Sequence, residues 1–209
     1  KKTREIPNFK AINHTLHALL KRVDRTKKVE TLRGIEGLAS RTYFSVFGFL
    51  LSEPWQFSGR NRYPSTDPVN AILSYGYSFL EREVRASLLA VGLDVRIGVL
   101  HSTNNRKDSF VYDVMDIFRQ DIIDRFVLKL LNRHMLSLED FDISEQGCFL
   151  SKSANKKWIK LYEEYMDTEV TRLDNVTPRK WIQREVQSFM TYLQAIDVHI
   201  PRHDCENIS

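Results

Sequence analysis

The chain has 209 residues, 42% of them hydrophobic and 28% charged, with a formal net charge of +4. This composition is ordinary for a globular domain with a sizeable core, and it excludes a low-complexity linker. No apolar run reaches membrane-spanning length, and the two cysteines, Cys148 and Cys205, form neither a disulfide framework nor a CxxC metal pair. We therefore expect a cytoplasmic protein that does not enter a membrane and holds no structural zinc.

Positive charge is concentrated near the start of the sequence. Residues 1–28 carry nine Lys or Arg against two acids, a net +7, so the remaining residues sum to −3. This asymmetry is typical of a phosphate-binding arm beside a cation-holding site, although a solvated basic helix face would look the same. We treat 1–30 as a basic helix or junction. Because the sequence begins KKTREIP without methionine, we expect further residues upstream.

The next stretches read as helices in chain order. NFKAINHTLHALLKRV carries an apolar stripe at helical spacing: Ile12, Leu16, Leu19, Leu20 and Val23. TLRGIEGLASRTYFSVFGFLL aligns a second stripe: Ile35, Ala39, Thr42, Val46 and Leu50. WQFSGRNRYPST is a polar loop containing glycine and proline. The following helix has Asp67 as N-cap, Pro68 in its first position and Gly92 after its end.

Three more helical stretches complete the chain: 109–119, 121–136 and 177–196, the last with a Thr-Pro start. Few strand patterns and no internal repeat are visible. The sequence therefore predicts an all-α fold, a single helical domain over 31–195 with a tail at 196–209.

One segment, IGVLHSTNNRKDSFVYDVMDIFRQ, places His101, Asp113 and Asp116 around an apolar stretch. Taken singly, each has a structural explanation. The helical projection puts both acids opposite the apolar stripe, as on a solvated face, and a lone histidine more often satisfies a hydrogen bond than a metal. Glu36 projects onto the rim of a buried helix face, where the helix dipole alone would favour an acid.

Taken together, these residue types suggest a different explanation. Glu, His and Asp from three separate segments are the ligands that hold a divalent cation while leaving positions open for water or substrate. Such a cation polarises a phosphoryl oxygen, and the basic N-terminal segment favours a polyanionic substrate.

Four motifs carry a resemblance to a known family: GIEGLASRTYF, SGRNRYPSTDPVNAILSYGYSFL, IGVLH and DSFVYDVMDIFR. In order and spacing they resemble the C-terminal helical catalytic domain of the CRISPR-associated spacer-acquisition integrases, the Cas-one family of metal-dependent DNA endonucleases. The resemblance runs from about residue 7 to about residue 195.

The resemblance implies roles for particular residues. Glu36, His101 and Asp116 match the family's ligands for catalytic Mg²⁺ or Mn²⁺, and Asp113 matches a neighbouring acid that either supports the site or binds through water. Residues expected to contact DNA are Arg60, Arg62, Asn70, Tyr77, Arg106, Lys107 and Tyr112. For Tyr77, a core aromatic on a long helix is an equally good explanation.

The activity implied is transesterification, in which a spacer-precursor 3′-hydroxyl attacks the repeat-leader DNA, with nicking when water replaces the hydroxyl. The implied partners are double-stranded DNA (spacer precursor and CRISPR repeat), a second copy in a homodimer and a Cas-two family subunit. The family's N-terminal β-sandwich is not visible in this sequence, so we also expect a missing or fused domain upstream. The alternative is a non-catalytic helical nucleic-acid-binding module. A hydrolase using His203 and Asp204 is a weaker rival.

Overall fold

The computed structural model describes residues 6–61, 64–101 and 108–196, which fold into seven α-helices and one β-hairpin. The helices are α1 (Phe9–Val23), α2 (Val29–Phe47), α3 (Pro68–Ala90), α4 (Ser109–Phe118), α5 (Arg125–Asn132), α6 (Lys152–Met166) and α7 (Pro178–Ala195). A π-helical segment, Arg119–Asp124, joins α4 to α5. The predicted all-α class is confirmed. None of the helices in these ranges is long and apolar enough to cross a membrane.

Helix α3 begins and ends where the sequence predicts. The Asn70 backbone N–H donates to Asp67 Oδ1 at 2.8 Å, and Pro68 occupies the first position, where its missing N–H costs nothing. The helix stops before Gly92, whose φ of 80° lies in the left-handed region that favours glycine.

The core is built around α3. Helices α4, α5 and α7, the π-helical segment and strand β2 (Gly147–Leu150) all pack against it. Six of its apolar side chains are fully buried: Val69, Ile72, Leu73, Leu80, Val84 and Leu88. Gly76 permits the closest approach, because a Cβ there would lie 2.6 Å from Ile123 Cγ2 of the π-helical segment. This packing fixes α4, which carries the two candidate acids.

The sequence analysis did not predict two parts of the structure, a β-hairpin and helix α6. Strands β1 (Phe141–Ser144) and β2 (Gly147–Leu150) form an antiparallel hairpin in which Phe141 pairs with Leu150. Helix α6 follows, capped by the Ser151 side chain, and packs against α7. Its Trp158 and Tyr162 are buried in the core, so α6 is integral to the fold.

Helices α1 and α2 form a looser layer. They pack on each other, but Leu19 is the only buried residue of α1, while Leu20 and Val23 of the predicted stripe are exposed. In α2 only Ile35 and Phe47 are buried. Of the two predicted stripes, only Leu20, Val23 and Leu50 are exposed, while the other members are buried or partly buried. Helical spacing does not reveal how much partner surface is available.

Candidate metal centre

The carboxylate of Asp113 organises the turn that leads to His101. Its Oδ2 accepts the N–H of Val99 at 2.5 Å and of Leu100 at 3.0 Å, and its Oδ1 accepts the N–H of His101 at 2.8 Å. Gly98 permits the tight turn, since a Cβ there would lie 2.6 Å from the His101 carbonyl oxygen. Burial raises the pKa of Asp113, but these hydrogen bonds and the bond from the His101 ring outweigh it and leave the pKa lowered.

The same carboxylate orients the His101 ring. Nδ1 lies 2.6 Å from Asp113 Oδ1, and the side chain is 42% exposed. When Nδ1 donates to the carboxylate, Nε2 presents its lone pair to the outside. A carboxylate bound to the second nitrogen is the usual support for a metal-binding histidine. From α2, Arg33 Nε donates to the Leu100 carbonyl oxygen at 2.5 Å, which ties the turn to the helix that carries Glu36.

Asp116 lies one helical turn after Asp113 and is largely enclosed by protein. Both carboxylate oxygens are buried and find no partner at hydrogen-bonding geometry among the described residues, although Arg119 Nη1 lies 2.5 Å from Oδ1. The contact with Arg119 is therefore a charge pair with poor hydrogen-bond alignment. Burial raises the pKa of Asp116, and the Arg119 charge only partly opposes this.

The prediction that Asp113 and Asp116 lie on a solvated face of α4 is wrong. Four large apolar side chains of this helix are buried: Phe110, Val111, Met115 and Phe118. Val111 and Met115 lie outside the stripe used for the projection, whereas Ile117 within it is 60% exposed. That stripe consists of Phe110, Val114, Ile117 and Phe118. The Asp113 side chain is only 10% exposed. Because α4 contacts both α3 and the π-helical segment, its buried surface is wider than one stripe and includes the acids.

Glu36 is exposed on α2 at the border of two cavities. One, of about 480 Å³, is apolar and lies between α1 and α2 beside Val99 and Leu100. The other, of about 400 Å³, is polar and lined by Arg41 and Arg60. The negative charge of Glu36 contributes to the raised pKa of Asp116, while the His101 charge opposes it. The three predicted ligands therefore lie in one region of the molecule.

These side chains do not converge on one point in this conformation. Within 6–61, 64–101 and 108–196, no three His, Cys, Asp or Glu side chains are arranged to hold a metal ion. The donor set still fits a divalent cation, because it combines the buried carboxylate oxygens of Asp116, an oriented imidazole and the accessible carboxylate of Glu36. Oxygen-rich sets of this kind suit Mg²⁺ and Mn²⁺.

The predicted DNA-contacting residues have different positions. Asn70 is 1% exposed, and its side chain bonds Asp67, Gly59, Arg60 and Asn61, so its position argues against direct contact with DNA. Arg60 also donates to Ser74 Oγ at 2.9 Å. Arg62, Arg106 and Lys107 lie outside the described residues, as do His203 and Asp204 of the rival hydrolase site.

Both predicted tyrosines are partly buried. The Tyr77 hydroxyl donates to Asp124 Oδ1 at 2.5 Å, with the Arg60 guanidinium 5.5 Å from its ring centroid. The Tyr112 ring lies 6.2 Å from the His101 ring, and burial followed by the Glu81 charge raises its pKa. Tyr77 is thus the core aromatic that the alternative explanation described, with its polar group satisfied inside the protein.

Sequence reasoning missed Arg119 and Asp124. Asp124 is 1% exposed and accepts the Tyr77 hydroxyl, while Arg119 pairs with Asp116 and has its guanidinium 5.3 Å from the centroid of the same Tyr77 ring. The i, i+3 spacing from Asp116 to Arg119 was a usable signal for an ion pair. Asp124 gave no signal, because the π-helical segment that buries it has no recognisable sequence pattern.

Comparison with known proteins is consistent with this geometry. The family described as CRISPR associated protein Cas1 matches residues 1–164. The CRISPR-associated endonuclease Cas1 1 of Methanospirillum hungatei is 38% identical over 133 residues, which cover 63% of this chain and 40% of that protein. The chain therefore spans less than half the length of this curated relative.

Solved structures show the same fold. A CAS1 protein from Thermotoga maritima superposes with a TM-score of 0.78 at 28% identity, over 87% of this chain and 57% of that one. A casposase bound to integration product gives a TM-score of 0.78 at 25% identity, over 96% and 62% of the two chains. A Cas6-RT-Cas1--Cas2 complex, at 23% identity and a TM-score of 0.78 over 93% of this chain and 22% of that one, shares the fold. The chain belongs to the Cas1 family of CRISPR-associated proteins.

Proposed function

We propose that this protein is a metal-dependent DNA integrase and endonuclease, which joins the 3′-hydroxyl of a spacer precursor to repeat-leader DNA. Asp116 carries the proposal, because its buried oxygens lack well-formed hydrogen bonds from the described residues even with Arg119 beside them, and a divalent cation would satisfy them. Membership of the Cas1 family and the likeness to a casposase support the reaction class. Since the chain spans less than half of its curated relative, the activity of the whole protein is part of the proposal.

Glu36, His101 and Asp116 are the residues that would hold Mg²⁺ or Mn²⁺, with Asp113 keeping the imidazole in place. The cation would supply Lewis-acid stabilisation of the charge on a phosphoryl oxygen. In the reaction, the attacking 3′-oxygen forms a bond to phosphorus and loses its proton, while the bond from phosphorus to the leaving 3′-oxygen breaks and that oxygen takes up a proton to become a hydroxyl. One phosphodiester replaces another, so no nucleoside triphosphate is consumed. Water in place of the 3′-hydroxyl gives nicking.

The polar cavity beside Glu36 supports DNA as the substrate. Arg41 and Arg60 line it together with three serines, Ser40, Ser45 and Ser58. Guanidinium and hydroxyl groups are common partners of DNA phosphates. We therefore place the phosphodiester backbone of double-stranded DNA in this cavity, and we expect the affinity to fall steeply with salt.

The remaining partners follow from family membership. A homodimer, a Cas2 subunit and an upstream fused or separate domain are proposed for the whole protein, and a cytoplasmic location fits its work on cellular DNA. The Cas6-RT-Cas1--Cas2 complex supports the Cas2 partner, because that assembly contains a chain with this fold.

The first test measures Mn²⁺ binding by the protein. Binding is detected as a loss of the electron paramagnetic resonance signal of free Mn²⁺. Asp116→Asn should weaken binding at least about tenfold, since it removes a charged ligand. Asp121→Asn is the matched control, because Asp121 lies on the adjoining π-helical segment and pairs with the surface side chains Arg125 and Arg172.

The second measurement is strand joining with a labelled precursor ending in either a 3′-hydroxyl or a 3′-deoxy nucleotide. Joining should require the hydroxyl, the metal and Asp116. The non-catalytic module predicts instead that DNA binds equally with and without divalent cation and that Asp116→Asn changes neither measurement. That result would refute the proposed function.

A further inference from the structure

The guanidinium of Arg119 lies directly beside the Asp116 carboxylate. Its Nη1 lies 2.5 Å from Asp116 Oδ1, where the last turn of α4 passes into the π-helical segment. Both side chains are mostly enclosed, with exposed fractions of 27% and 23%. A guanidinium at this distance supplies the positive charge that a buried carboxylate requires.

The pairing is close but not well satisfied. Both Asp116 oxygens and the Nε of Arg119 are buried, and within the described part of the chain they have no partner at hydrogen-bonding geometry. A bidentate arginine–carboxylate pair would instead form two parallel hydrogen bonds and resist exchange. The pair at Asp116 therefore holds the charges together without the directional bonds that would make it permanent.

Arg119 has a second set of neighbours besides Asp116. Its guanidinium carbon lies 5.3 Å from the centroid of the Tyr77 ring, within cation–π range. Behind that ring, the Tyr77 hydroxyl donates to the buried Asp124, whose pKa the Arg119 charge lowers against the raising effect of burial. A guanidinium released from Asp116 would still have an aromatic face and a buried acid to hold it.

We propose that Arg119 is the exchangeable counter-ion of Asp116: it pairs with the carboxylate when no metal is present, and a divalent cation binds only by displacing it. The displaced guanidinium stays against Tyr77 and becomes available to a phosphodiester oxygen of DNA. Metal and DNA then strengthen each other's binding, because the phosphate replaces the partner that Arg119 has lost. This inference rests on the proposed function, since it requires Asp116 to be a metal ligand.

Within the described residues no three acid, histidine or cysteine side chains converge, and the guanidinium beside Asp116 is that of Arg119. Glu36 and Asp113 add negative charge around Asp116. Among the neighbouring charges, that of Arg119 offsets this most strongly. Without Arg119, the acids would repel one another at close range. Arg119 is thus a positioning residue for Asp116, and it also competes with the metal.

The test is Mn²⁺ affinity of the protein in the absence of DNA, measured by paramagnetic resonance for wild type and Arg119→Gln. Removing the competing charge should raise the affinity about fivefold, equivalent to about 1 kcal/mol. Adding DNA should raise the Mn²⁺ affinity of wild type and should do so less in the variant. Arg119→Lys keeps a positive charge and should stay close to wild type.

Controls separate the possible outcomes. Arg125→Gln removes an exposed arginine, paired with Asp121, and should leave Mn²⁺ affinity unchanged. Circular dichroism checks folding, and Arg119→Met, which keeps the aliphatic stem, repeats the measurement if Arg119→Gln does not fold. An unchanged or weakened affinity in the neutral variant overturns the inference. If Asp116→Asn binds Mn²⁺ as tightly as wild type does, the proposed function is overturned instead.

Discussion

Replacing the buried Asp124 by asparagine should change the pH dependence of folding stability. Burial is the largest influence on this carboxyl and raises its pKa from 3.8 to about 6, although the Tyr77 hydrogen bond and nearby arginines oppose the rise. Tyr43 is a weaker second neighbour, because Oδ2 has no partner at hydrogen-bonding geometry among the described residues. The amide introduced by Asp124→Asn would keep an acceptor for Tyr77 without carrying a charge.

The magnitude follows from the size of the pKa shift. A rise from 3.8 to about 6 in the folded state corresponds to about 3 kcal/mol between the two protonation states. Between about pH 4 and pH 6 the folded protein binds more protons at this site than the unfolded chain. Stability from the protonated carboxyl is therefore fully present below about pH 4 and is lost as the pH rises through about 6.

Urea denaturation of wild type and Asp124→Asn at several pH values between about 4 and 7.5 measures this. The free energy of unfolding of the variant, relative to wild type, should increase by about 3 kcal/mol across the range. Asp121→Asn on the same segment, where the acid is partly exposed, should give a nearly constant difference. A constant difference for Asp124→Asn, or one that decreases with pH, would refute the reasoning.

Gly76→Ala tests the packing and Asp113→Asn tests the histidine turn, with Gly34→Ala and Asp142→Asn as their controls. Gly76→Ala should lower the free energy of unfolding by about 1–3 kcal/mol, because its Cβ would meet Ile123 at 2.6 Å and Trp158 at 3.3 Å. Gly34→Ala, with no described atom within 4 Å of its Cβ, should raise the free energy of unfolding by about 0.5–1 kcal/mol. If urea denaturation shows that both glycine substitutions change the stability in the same direction, this reasoning is contradicted. Asp113→Asn should weaken Mn²⁺ binding about 10- to 100-fold by releasing the His101 ring, whereas exposed Asp142→Asn should not; equal affinities would show that the ring needs no support.

Where local chemistry decides the structure, the sequence predicts it well. The starts of α3 and α7 lie where Asp67-Pro68 and Thr177-Pro178 indicate, because a capping side chain and a proline act within one turn. The hairpin and α6 escaped prediction because their patterns are short or polar. The place of α6 depends on Trp158 and Tyr162, which pack against Phe79 of α3 and Phe126 of α5, and that of the hairpin on the contact of β2 with α3.

The candidate site also has features that the sequence predicted and features that it did not. Glu36, His101 and Asp116 were identified from residue type and family motifs, and the structure brings their charges into one region. The enclosure of Asp116 was not predictable from a helical projection, since it depends on α3 and the π-helical segment as well as on α4 itself. That the three hold a metal stays a prediction, which the Mn²⁺ measurements address.

The counter-ion is the part of the site that a motif cannot reveal. A motif identifies residues that bind in the active state, whereas a protein must also balance those charges when nothing is bound. Here Arg119 pairs with Asp116 and lies against the ring of Tyr77, whose hydroxyl donates to Asp124, so one guanidinium serves both the candidate metal centre and a buried acid. Its position comes from the π-helical segment, whose wider turn begins at Arg119 itself. The π-helical segment therefore also sets the charge balance of the site. A substitution that restores a regular α-helix there should move Arg119 away from Asp116, although Asp116 itself is unchanged.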